Sequence, residues 1–120
     1  MGDSLYEFAT SAKERIDNRI TVICTRSRNL ILLLRECKIE IEAKNRKTGL
    51  LAEWINEIIE NVEKTEGDVT RVRQIHGNQY RNYMLLPAYL NFIENRITRY
   101  EAEHDYIKGE LRTYGHTYAQ

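Results

Sequence analysis

Apolar residues recur along this chain at alternating three- and four-residue steps. Ile16, Ile20, Ile23, Leu30, Leu34, Cys37 and Ile41 keep this rhythm, with Ser27 filling one slot. Such spacing is the heptad pattern, in which one apolar stripe runs along a helix and another helix covers it. Ser4 followed by Glu7 has the spacing of a capping box, where each side chain satisfies a free backbone N–H. Together they predict a first helix over residues 4–46. Asp17-Asn18 lowers helix propensity inside it without shifting the phase, which marks a place for a bend.

Lys47-Thr48-Gly49 reads as a turn, with Gly49 suited to the left-handed residue after a helix end. Leu51, Trp54, Ile55, Ile58, Ile59 and Val62 then fall on one face of a second helix, over 50–66. Glu66-Gly67-Asp68 predicts a break, with Asp68 placed to cap a short third helix over 68–76. His76-Gly77-Asn78 predicts another, followed by a long helix over 79–114. That helix carries Tyr83, Leu86, Leu90, Ile93, Ile97, Tyr100, Ile107 and Leu111 at the same spacing. Counted by sevens, the pattern stays in one phase from Ile16 to Leu111 across every proposed turn, which leaves room for some breaks to be kinks within longer helices. Pro87 interrupts it, because a proline inside a helix costs about 3 kcal/mol and removes one hydrogen bond. A kink or a helix start near Leu86 follows. The expected fold is all-α: one domain spanning 1–120, an elongated bundle of three or four long helices with heptad-like seams.

Composition supports this picture. One proline and six glycines in 120 residues are far too few for the turns of an all-β protein. Eighteen basic residues balance eighteen acidic ones, so no global field steers the chain toward nucleic acid or an acidic membrane. The balance is regional: residues 1–48 sum to about +3, 49–68 to about −5, 69–99 to about +4 and the tail to about −2. Alternating blocks suit helices that lie against one another or against subunits of opposite sign. Lys13, Glu14 and Arg15 interrupt the first apolar stretch, so no signal peptide is expected. The longest strictly apolar run, Leu30 to Leu34, is too short to span a membrane. Cys24 and Cys37 would lie ~20 Å apart on one helix. They would then be unable to pair within the chain, and a reduced, intracellular setting is the simpler expectation.

Candidate chemistry is sparse. Glu101-x-x-His104 has the spacing of two metal ligands on one helix face, but di-iron bundles need a second such pair and two further carboxylates. His76 and His116 lack them. Glu53, Glu57 and Glu60 read as a solvated helix face. No glycine-rich phosphate loop, nucleophile elbow or CxxC pair occurs, so no catalytic residue, metal or cofactor is assigned. Arg15, Arg19 and Arg26 form one helical stripe. Arg71, Arg73 and Arg81 cluster later with Tyr80 and Tyr83, and basic residues among aromatics are a feature of single-strand nucleic-acid binding. Arg71 and Arg73 are the candidate contacts, with ion pairing as the competing reading. Nearly all of the eight tyrosines lie after position 79, where their rings suit either seams or interfaces. Trp54 and Phe92 are expected as core anchors.

His76, Arg81-Asn82, Ala88-Tyr89-Leu90 and Arg96-Ile97 form an ungapped pattern, H-x4-RN-x5-AYL-x5-RI. This resembles the signature helix of the GINS proteins, four related eukaryotic subunits that assemble into a tetramer at the replication fork. The resemblance covers about residues 76–97. The chain departs from the family at Tyr83-Met84, where further basic residues are usual, and at Pro87, and it has no counterpart of the family's small β-rich domain. The resemblance implies a non-catalytic, nuclear scaffold that joins parts of the replicative helicase assembly. Combined with the charge blocks, it nominates Arg81, Asn82, Tyr83, Tyr89 and Arg96 as a partner interface. Other helical subunits are the expected partners, a hetero-complex ahead of a homo-oligomer, with no membrane. Two further classes fit the same residues: a self-associating coiled-coil structural or viral protein, and a small nucleic-acid-binding accessory protein.

Overall fold

The structure, a computed structural model, describes residues 2–44, 49–76 and 86–119 of the chain. These form three helices, α1 (Gly2–Lys44), α2 (Gly49–His76) and α3 (Leu86–Ala119), and no strand occurs among the described residues. After Gly2, α1 contains neither glycine nor proline, so nothing in its 43 residues breaks the backbone ladder. It starts two residues before the Ser4 predicted to cap it and continues through Asp17-Asn18. The Thr21 and Thr25 hydroxyls donate back to the carbonyls of Asp17 and Thr21, each at 2.9 Å, which keeps these polar groups compatible with the helix.

The break expected at Glu66-Gly67-Asp68 is absent. A single helix, α2, covers the span assigned to two, so the described residues form three helices, the lower of the two expected numbers. Gly67 is exposed, with open space around its Cβ direction, and costs only about 1 kcal/mol relative to alanine in a helix. The buried row Val62, Thr65, Val69 and Val72 continues past it and outweighs that cost. Gly49 is also not the left-handed residue expected of it: it is the first residue of α2, and no described glycine has positive φ. The break at His76 does coincide with the end of α2.

Pro87 becomes intelligible in α3, which begins at Leu86. The proline falls in the first turn, where an N–H would have no partner and the fixed φ suits the helix. The residues from 79 to 85 that were expected to open this helix lie outside the described residues. At the other end α3 runs past Gly115 to Ala119, beyond the expected stop at 114.

Cross-helix pairs fix the topology. Arg28 Nε lies 2.9 Å from Glu66 Oε1, and Arg73 Nη2 donates to Thr21 Oγ1 at 3.2 Å. Later residues of α2 meet earlier ones of α1, so these helices are antiparallel. Arg19 meets Glu94 and Arg26 meets Glu101, each 75 positions apart, so α1 and α3 run parallel. The result is an up-down-up bundle 73 Å long and about 20 Å across.

Burial follows three- and four-residue steps on all three helices. The buried side chains are Ile16, Ile20, Ile23, Ser27, Leu30, Leu34, Cys37 and Ile41 on α1, with Ile31 beside Leu30; Ile55, Ile58, Val62, Thr65, Val69 and Val72 on α2; and Leu86, Leu90, Ile93, Ile97, His104 and Ile107 on α3. Tyr100 and Leu111 pack against them, partly buried. Ser27 and Thr65 each precede one member of the Arg28–Glu66 pair, which puts these hydroxyls at the same level of the bundle. Both donate within their own helix, to the carbonyls of Ile23 and Asn61 at 2.8 Å. The polar level is thereby satisfied without any bond between helices.

A candidate interaction surface

The polar flank between α1 and α3 is already occupied. Arg19 donates from Nε to Glu94 Oε1 at 3.0 Å and from Nη2 to Asn91 Oδ1 at 2.6 Å. One heptad on, Arg26 donates from Nε to Glu101 Oε2 at 3.4 Å, from Nη2 to Glu101 Oε1, and from Nη2 to Thr98 Oγ1 at 3.1 Å. The Glu101 hydrogen bond raises the affinity of Arg26 for its proton, with partial burial opposing it. Two rungs of a ladder therefore account for Arg19 and Arg26 of the arginine stripe.

Leu33 stands where a third arginine would continue that ladder. Here a surface groove of about 400 Å³ opens between α1 and α3, lined by Arg26, Leu30, Leu33, Glu101, His104 and Asp105. His104 is buried, with Nδ1 3.3 Å from Asp105 Oδ1. Glu101, its proposed co-ligand by spacing, is bound to Arg26 instead. Among the described residues no group of three His, Cys, Asp or Glu side chains is placed to hold a metal ion. The groove has no serine, threonine or cysteine beside its histidine, so no nucleophile–base pair forms there.

The outward sides of α1 and α3 are different in kind. Leu32 and Ile39, one heptad apart on α1, are 57% and 66% exposed, and Val22 and Leu33 are also exposed. Leu32 and Ile39 face away from the buried row, giving α1 a second apolar side, whereas Leu33 lines the groove on the α3 flank. On α3, Phe92 is 58% exposed, which corrects its expected place in the core. Ile93 holds the inward position, and one residue along a helix turns the side chain by about 100°. Arg96 lies over the Phe92 ring, 5.8 Å from its centroid, and Tyr89 is exposed one turn earlier. Trp54 is partly buried, its ring 5.9 Å from that of the exposed Tyr106.

The nominated interface residues thus divide. Tyr89 and Arg96 lie on one side of α3, Tyr89 exposed and Arg96 half-buried, with the exposed Phe92 between them. Arg81, Asn82 and Tyr83 lie outside the described residues. Of the candidate nucleic-acid contacts, Arg71 is exposed, whereas Arg73 is hydrogen-bonded to Thr21 within the chain. The exposed side of α1 had a sequence signal: five consecutive apolar residues from Leu30 to Leu34 cannot all face one side of a helix. No helix among the described residues is long and apolar enough to cross a membrane. No family model matches the chain, and neither a curated protein nor a solved structure matches it.

Proposed function

We propose that this protein is a non-catalytic helical scaffold, a subunit that works by packing its outer helix faces against other proteins. One observation carries the reading: α1 buries one side in its own bundle and presents Leu32 and Ile39 on another. Large apolar side chains grouped outside a satisfied core are what an interface requires. The bound state of Glu101 and the absence of a nucleophile in the groove support a non-catalytic role.

Membership of a replication-fork complex is the narrower form of this proposal. It rests on the pattern over residues 76–97, of which Tyr89 is exposed and Arg96 half-buried. The test is recovery from the native cell of tagged wild type and of a Leu32→Arg, Ile39→Arg variant. The scaffold reading expects discrete subunits with wild type, lost in the variant while its melting temperature holds. Helicase subunits among them would support the narrower form, and an unchanged set of partners would overturn the assignment of α1.

A further inference from the structure

The outer face formed by α2 and α3 carries opposite charges at its two ends. Its register follows from Trp54 and Tyr106, whose rings meet. The two helices run in opposite directions, so about four turns from Tyr106 to Phe92 match about four turns from Trp54 to Asp68. Arg71, one turn beyond Asp68, therefore lies at the Phe92 end, and Glu57 lies at the Tyr106 end. Glu57 and Arg71 are two heptads apart on α2, as Phe92 and Tyr106 are on α3, so each pair follows one line of its helix.

The Phe92 end is aromatic and net basic, with Arg71, Arg96, Tyr89 and Phe92 beside a single acid, Asp68. The Tyr106 end is acidic and aromatic, with Glu53, Glu57, Trp54 and Tyr106. Glu53, Glu57, Arg71 and Arg96 make no ion pair with any described residue. Between the ends the signs are mixed: Glu60 and Lys64 on α2, and the Arg99–Glu103 pair at 3.8 Å on α3. A surface with a positive end, a negative end and a mixed centre is complementary to itself under a two-fold rotation.

From this we infer that the α2–α3 face is the contact surface of an antiparallel, two-fold symmetric dimer of this chain. The rotation axis passes through the mixed centre. It sets Arg71 of one copy against Glu53 of the other and Lys64 against Glu57 along the two copies of α2, and Phe92 of each copy against Tyr106 of the other along α3. A two-fold interface uses the same patch twice, as this arrangement requires. The 28 residues of α2 make the face about 40 Å long. With a bundle 18 Å across its narrow side, each copy would cover roughly 700 Å², close to the half-share of a standard stable interface. The face is separate from the outer side of α1, so the inference stands or falls independently of the proposed function.

Sedimentation of the full chain tests it. Wild type should sediment at twice 14.2 kDa. Arg71→Glu with Lys64→Glu, and separately Glu53→Arg with Glu57→Arg, should each weaken the dimer by at least about thirtyfold with helicity retained. Equimolar mixing of the two variants should restore association, because every cross-copy pair then has opposite signs. Three results would overturn the inference: wild type monomeric at its highest soluble concentration; a dimer unaffected by both reversals, or broken only by Leu32→Arg with Ile39→Arg; and a monomer that uses Arg71 and Arg96 to bind a single-stranded oligonucleotide.

Discussion

Arg26 on α1 and Glu101 on α3 meet in a two-point guanidinium–carboxylate contact, and Arg19 and Glu94 repeat the pairing one heptad earlier. Charged residues flanking an apolar row set which helices pair and in what direction. These two rungs select the parallel alignment of α1 with α3, while Arg28–Glu66 flanks the antiparallel pair.

The rungs are part-exposed, so orientation outweighs stability in their contribution. A double-mutant cycle of Arg26→Ala with Glu101→Ala should give a coupling of about 0.5–1 kcal/mol, the range of exposed pairs with good geometry. Molar salt should shrink it. Zero coupling at low salt would remove the pair from the account.

Gly67 gives a test of helix continuity. Because α2 passes through it with open space at the Cβ direction, Gly67→Ala should stabilise the protein by up to about 1 kcal/mol, seen as a raised melting temperature. A destabilised variant would restore the break that the sequence suggested at this point.

Ile58 and Leu90 are buried in the shared core, whereas Leu50 is 84% exposed. Alanine at Ile58 or Leu90 should cost about 2–5 kcal/mol in denaturant unfolding, and alanine at Leu50 less than about 0.5 kcal/mol. Equal effects at all three sites would contradict the packing described.

Cys37 links stability to alkaline pH. Burial pushes its thiol pKa up, with nearby Glu40 adding to the shift and Lys108 opposing it. The folded protein then keeps this proton over a window in which the unfolded chain, near pH 8.5 and above, has lost it. The resulting stability is complete below the ordinary thiol range and declines as pH rises through it. Cys37→Ala should flatten that decline, and in the wild type a thiol reagent should label half-buried Cys24 before Cys37. Faster labelling of Cys37 would contradict its burial.

Much of the inner architecture was legible because three- and four-residue spacing is a local property of the chain. It picked out Ile20, Leu34, Ile58 and Leu90 from positions alone. The Gly67 break misled because propensity is weak against a continuing buried row. Phe92 misled because its size suggested the core, while its phase, one residue off Ile93, pointed outward. The α1–α3 rungs were hidden for a different reason: heptad spacing gives each helix a face but not the direction of its partner. Arg19 and Arg26 formed a stripe open to ion pairing, but their partners Glu94 and Glu101 could not be named from spacing alone.

The central claim is that the outer side of α1 binds another protein, and residue-resolved photo-crosslinking in the native cell tests it most directly. A photoreactive residue is placed singly at Leu32, at Ile39 and, as a control, at the exposed Gln74 of α2. The account predicts one discrete adduct, common to positions 32 and 39 and absent at 74, that disappears when arginine replaces whichever of Leu32 and Ile39 does not carry the photoreactive residue. Equal, diffuse labelling at all three positions, or adducts at 74 alone, would contradict it.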